Sequence, residues 1–220
     1  MYKIVVLASG NGSNFEEIVK QTRRRYNDIH VALLISDRKN AYVLTRAKEL
    51  DVPYVILPSK NRFEYLKEII DEQRPDLVVL AGFMRIIPKW LVDMLFGKIV
   101  NIHPSLLPSF KGKDAIKQAW EYGVKVTGVT IHFVDSGVDT GPIIFQVPVT
   151  IEPHMNLELL EKKIHSVENK IYTPVINMLL KCNWIIDGRT VKFLDTRGDA
   201  CEIFRTVARG VSSEIWGKSS

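Results

Sequence analysis

Cysteine is nearly absent: Cys182 and Cys201 are the only two in 220 residues. Two cysteines give neither a disulfide framework nor zinc-ligand spacing, so a reduced, intracellular setting is expected. Long apolar runs are missing as well. The N-terminal run Ile4-Val5-Val6-Leu7-Ala8 gives way at once to Ser9-Gly10-Asn11, which is too short for a signal peptide or a membrane span. A soluble, cytoplasmic protein with no membrane partner is the expectation by elimination. Internal repeats, linkers and low-complexity stretches are also lacking, which leaves one domain, residues 1–220. No basic patch points to nucleic acid. Apart from Arg23-Arg24-Arg25 the cations are scattered, and that run suits the C-terminal end of a helix.

What remains is an ordinary globular composition, 46% hydrophobic and 25% charged, with a formal charge of +5. A modest positive excess suits small anionic ligands such as phosphates or carboxylates. Short apolar runs alternate with amphipathic segments. Strands are expected at 4–8, 31–35, 54–57, 77–81 and 99–102. Helices are expected from about Ser13 through Val19, over 41–50 and 62–72, and over 88–96 with Pro88 in the first turn. Strict alternation of this kind predicts an α/β fold: an open, Rossmann-like, mostly parallel sheet with helices on both faces. The rhythm then changes. A helix at 114–122 ends at Gly123, and strands at 127–134 and 143–149 follow with no helix between them, which predicts an antiparallel C-terminal addition. Leu157, Leu160, Ile164, Val167 and Ile171 recur at helical spacing, and Pro174 is expected to kink or interrupt that helix. Val191 to Leu194 reads as a strand after the turn Asp187-Gly188.

Three stretches can carry chemistry. Ser9-Gly10-Asn11-Gly12-Ser13-Asn14 joins a strand to a helix. Its glycines let the backbone approach a ligand, and the helix start aims free N–H groups at a phosphate. Ser13 and Asn14 are equally at home as helix caps. No Gly-Lys-Ser/Thr follows, and the third dinucleotide glycine is missing, so phosphate is favoured over NAD; Asp37 is a weak match to a ribose-binding acid. Ala81-Gly82-Phe83-Met84-Arg85-Ile86-Ile87 offers an apolar slot with one cation, or a loop packed on the core. Ile99 to Pro108 presents Asn101 and His103 two residues apart, on one side of an extended chain and before two prolines. Alone, it also fits a capped turn with a hydrogen-bonded histidine.

Other polar residues have plain alternatives. Asp139 suits a turn between strands; acting on His103 would require it to fold back beside the imidazole, which it would then hold as a cation. His132 fits a satisfied core histidine. Glu161, His165 and Glu168 fall on one stripe of the long helix, ordinarily a solvent face with local ion pairs, or else a stripe with one member turned into a cleft to hold a substrate cation. His103, His132 and Asp139 also make a minority case for a metal site.

Together, Ser9-Gly10-Asn11-Gly12-Ser13-Asn14, Ala81-Gly82-Phe83-Met84-Arg85-Ile86, Asn101-Ile102-His103-Pro104-Ser105-Leu106-Leu107-Pro108 and Asp139-x-Gly141-Pro142 resemble the phosphoribosylglycinamide formyltransferases of purine synthesis. The resemblance runs from Tyr2 to about Met178, and the tail beyond Leu180 matches nothing specific. It implies formyl transfer from 10-formyltetrahydrofolate to the amine of glycinamide ribonucleotide, without a metal. Asn101, His103 and Asp139 match the catalytic trio. Gly12, Ser13 and Asn14 match the phosphate loop, and Glu168 matches the carboxylate that holds the acceptor amine. Arg62, Met84, Arg85, Ile86, Ile87, Asn101 and the backbone around Val138 match folate contacts. The implied division places the ribonucleotide in the N-terminal half and the folate in the C-terminal half, in a monomer or homodimer. The rival within the family is 10-formyltetrahydrofolate hydrolysis, and the rival outside it is a non-catalytic phosphoribosyl- or nucleotide-binding module. Methionyl-tRNA formyltransferase shares the central motif but carries a further C-terminal domain.

Overall fold

A computed structural model describes the protein over residues 1–194, so Cys201 lies outside the described residues. The chain divides into two compact units. The first comprises Met1–Asn101 with Phe133–Ser136, the second Ile102–His132 with the chain from Gly137 onward.

In the first unit, β1 (Tyr2–Leu7), α1 (Ser13–Arg24), β2 (Ile29–Ser36), α2 (Val43–Glu49), β3 (Tyr54–Ile56), α3 (Arg62–Gln73), β4 (Leu77–Leu80), α4 (Lys89–Met94) and β5 (Ile99–His103) alternate as expected. The strand order is β3-β2-β1-β4-β5, and every pairing is parallel. Ile4 to Leu7 and all four residues of β4 are buried. Continuous apolar runs suit strands covered on both faces. Helix α1 buries Phe15, Ile18, Val19 and Thr22, one stripe at helical spacing, and carries Arg23 and Arg24 in its last turn, where the helix dipole favours cations.

The second unit begins within β5. It holds α5 (Ala115–Tyr122), β6 (Val126–Phe133), β7 (Ile143–Thr150), α6 (Leu157–Lys181), β8 (Trp184–Asp187) and β9 (Thr190–Phe193). Strands β6 and β7 are antiparallel, with a register shift between Ile131 and His132. The tail hairpin β8–β9 joins β7 through a parallel contact of Ile143 with Thr190, giving the order β6-β7-β9-β8. Helix α5 ends at Gly123, whose φ of 80° is the left-handed conformation that glycine adopts freely.

Two expectations need correction. Pro88 caps α4 with an extended backbone rather than lying in its first turn. Helix α6 runs unbroken through Pro174 for 25 residues. Proline removes one N–H, but Ile171, Tyr172, Thr173, Val175 and Ile176 are all buried around it, and their packing outweighs one lost hydrogen bond. No helix among the described residues is long and apolar enough to cross a membrane.

Gly128 sets how closely β6 is packed. A Cβ there would meet the Val147 carbonyl oxygen at 2.2 Å and Leu106 Cδ2 at 2.6 Å. Gly128→Ala is therefore expected to cost about 2 kcal/mol or more by overpacking against backbone. Urea denaturation checks this; an unchanged midpoint would mean that both the β7 backbone at Val147 and the Leu106 side chain yield freely.

Candidate active site

Asn101 and His103 share β5, two residues apart, with Asn101 partly exposed and His103 buried. The His103 ring meets oxygen at both nitrogens. Nε2 lies 2.8 Å from the Phe110 carbonyl, and Nδ1 lies 3.3 Å from Asp139 Oδ2. The Phe110 carbonyl can only accept, so Nε2 is the donor there, and Nδ1 faces the Asp139 carboxylate. Asp139 therefore does fold back beside His103, and it does so directly. The backbone N–H of Gly112 donates to the same carboxylate oxygen at 2.8 Å, and His132 Nε2 faces the other at 3.6 Å. Burial pushes the Asp139 carboxyl up. The attraction of His132, the Gly112 N–H and the charge of His103 together outweigh it and hold the group below its ordinary value of 3.8. His132 is thus a buried histidine that shares in fixing Asp139.

The segment after His103 is held by a hydroxyl. Thr130 Oγ1 donates to the Ser105 carbonyl at 2.7 Å and accepts from the Leu107 N–H at 3.0 Å and from Gln146 Nε2 at 2.9 Å. One donor and two lone pairs are all used. Gln146 also donates to the Leu107 carbonyl at 2.9 Å, and the Leu107–Pro108 peptide is cis. Thr130 and His132 are the two polar residues on their face of β6, and Thr130 is a residue that sequence reasoning missed.

In the first unit the glycine-rich loop is latched by α2. Gly12 has φ +81°, and a Cβ there would strike Val43 Cγ2 at 2.3 Å. The Val43 N–H donates to the Gly10 carbonyl at 3.1 Å. Arg46 donates from Nε to the Asn11 carbonyl at 2.9 Å and from Nη2 to Asn11 Oδ1 at 2.8 Å. It also pairs with Glu16 and lies over the Tyr42 ring. Ser13 and Asn14 are not caps: Gly12 holds the cap position, and the helix begins at Ser13. Ser13 is exposed and Asn14 partly exposed. Arg46 is a residue that sequence reasoning missed, because its partner Asn11 lies 35 positions away.

Arg85 has a partner of its own. Its Nε pairs with Asp37 Oδ2 at 2.6 Å, while the Ser9 hydroxyl donates to Asp37 Oδ1 and accepts from the Met84 N–H at 2.8 Å. Burial would raise the Asp37 carboxyl; the Ser9 hydroxyl and the Arg85 guanidinium hold it below its ordinary value. Asp37 thus fixes the loop after β4 to the end of β1. In that loop Met84 and Ile86 are exposed, whereas Ile87 is buried in the core. Arg62 opens α3, and its Nε is buried with no hydrogen-bond partner among the described residues. Val138, beside Asp139, is exposed.

The helical stripe departs from a plain solvent face at Glu168, which is buried. Its Oε2 lies 2.8 Å from His165 Nδ1, and this bond raises the His165 imidazole above its ordinary value despite burial. Tyr172, fully buried one turn on, is pushed up by burial and by the charge of Glu168. Among the described residues no group of three or more His, Cys, Asp or Glu side chains is arranged to hold a metal ion.

Because the native Asp139 carboxyl lies below its unfolded value, its ionised form stabilises the fold above that unfolded value. The contribution is lost as pH falls through the lower native value. Asp139→Asn is expected to flatten the acid limb of stability below about pH 4. Thermal melts of both proteins across that range check it; identical acid limbs would mean that Asp139 adds no pH-dependent stability.

Residues 2–176 match the Formyl_trans_N family, Formyl transferase. The chain is 46% identical to phosphoribosylglycinamide formyltransferase of Bacillus subtilis (strain 168) over 189 residues, covering 83% of this chain and 97% of that protein. Glycinamide ribonucleotide transformylase 1 from Symbiobacterium toebii has a similar structure, with a TM-score of 0.82 and 40% identity over 89% of this chain and 95% of that one. A formyltetrahydrofolate deformylase from Pseudomonas syringae pv. tomato str. DC3000 is also similar, at TM-score 0.81 and 26% identity, with 88% of this chain and 66% of that one covered. The match spans most of the chain, and the chain belongs to the formyl transferase family.

Proposed function

We propose that the protein transfers a formyl group from 10-formyltetrahydrofolate to the amine of glycinamide ribonucleotide, the reaction of purine biosynthesis. The observation that carries this reading is the direct approach of Asp139 to His103, 3.3 Å apart, on a strand that also bears Asn101. The family match runs through both compact units, which supports one functional domain across the chain.

The neutral amine attacks the formyl carbon, and a carbon–nitrogen bond forms as the carbonyl oxygen takes negative charge. The Asn101 amide and the His103 imidazolium supply donors for that oxygen. The carbon–N10 bond then breaks, with His103 giving its proton to the leaving nitrogen. Asp139 orients the ring, balances its charge and takes part, through water, in removing the amine proton. No covalent intermediate with the enzyme is required. Gly12, Ser13 and Asn14 receive the ribonucleotide phosphate at the start of α1, where backbone N–H groups favour an anion. Glu168 holds the acceptor amine. Arg62, Met84, Arg85, Ile86 and Val138 contact the folate, with Ile87 anchoring that loop in the core; Arg85 does so while its Nε remains on Asp37.

The similarity to a deformylase makes water the competing acceptor. Purified protein mixed with 10-formyltetrahydrofolate is expected to release tetrahydrofolate only when glycinamide ribonucleotide is added, as followed by folate absorbance. Equal rates with and without the ribonucleotide would establish hydrolysis instead. Asn101→Ala, His103→Ala and Asp139→Asn should each lower kcat by about 10²-fold or more, with KM much less affected.

A further inference from the structure

We propose that Arg189, in the turn of the tail hairpin, is a positioning residue for Asp139. The carboxylate sits in the short loop between β6 and β7, and Asp139 itself has φ +49°, a left-handed backbone unusual for a residue with a side chain. Such a conformation persists only where its surroundings over-determine it. On one side the loop is closed by Gly137, where a Cβ would meet Thr140 Oγ1 at 2.0 Å, so Thr140 folds hard against the glycine. On the other side Arg189 Nη2 donates to the Thr140 carbonyl at 2.8 Å, one residue beyond Asp139.

Arg189 is delivered there by a built hairpin. Thr190, its neighbour, pairs with Ile143 at the start of β7. Ile185 pairs with Lys192, and Lys192 forms an ion pair with Asp187. Trp184 Nε1 donates to the Leu179 carbonyl at 2.9 Å and ties the hairpin to the end of α6. The family match ends at residue 176, so the clamp comes from a segment that the family pattern does not describe. A guanidinium donor on a carbonyl is the stronger, charge-assisted kind of hydrogen bond. The consequence for catalysis rests on the proposed formyl transfer; the clamp on the loop does not.

Arg189→Ala and Arg189→Lys test this by two readouts. Hydrogen exchange of the amides at 138–141 should rise about tenfold in the alanine variant, with the exchange of α6 unchanged. In the transfer assay kcat should fall by a similar factor, about tenfold, with KM for glycinamide ribonucleotide unchanged and with lysine restoring most of the loss. Wild-type exchange at 138–141 in the alanine variant would overturn the inference. So would faster exchange without a fall in kcat, or an equal loss of protection throughout α6, which would make the hairpin merely structural. If the wild-type protein transfers no formyl group, the reading of function fails, and the exchange result still decides whether Arg189 holds the loop.

Discussion

The Asp139 carboxylate is a partly buried charge, and the second unit is built to make it tolerable. Isolated burial would protonate it. Instead its oxygens meet the Gly112 N–H, His103 and His132, which come from a loop, from β5 and from β6. Each partner is fixed by a different part of the chain. Thr130 and Gln146 hold the segment that follows His103, and β6 itself supplies His132. The three-way arrangement converts an expensive anion into a fixed point, and the orientation of the imidazole follows from it.

Much of the fold was legible because its causes are local. Fully covered parallel strands need short apolar runs, and β1 and β4 are such runs. The Asn101 and His103 pair could be read because two residues on one strand have a fixed relation. Asp139 could not be paired with His103 from spacing, since 36 positions of chain separate them; there the family resemblance supplied the link. The solvent-face reading of the Glu161, His165 and Glu168 stripe failed at Glu168, because helical periodicity tells which residues share a face but not what covers it. Pro174 misled in the opposite way: a local rule predicted a break, and packing on both sides of the proline overrode it.

The loop after β1, proposed above to receive a phosphate, is held from α2. Glu16 lies in the first turn of α1, where its negative charge would oppose an incoming phosphate. Arg46 pairs with that carboxylate while gripping Asn11. Lys20 pairs with the other oxygen of Glu16, so that charge is offset from two sides while Arg46 also fixes loop geometry. The Asp37 network does comparable work for the loop after β4, with Ser9 as the hinge between them.

The carbonyl of Phe110 already accepts from His103 Nε2. Any substrate oxygen that accepts that hydrogen bond competes with an existing partner rather than filling an empty position. The free energy available to the reaction is then the difference between two hydrogen bonds, not the whole of one. A neutral carbonyl on a substrate gains little by such an exchange, whereas an oxygen carrying full negative charge gains much more. In the proposed reaction, the main chain at Phe110 would act as a threshold, biasing the imidazole against the ground state and in favour of the charged intermediate.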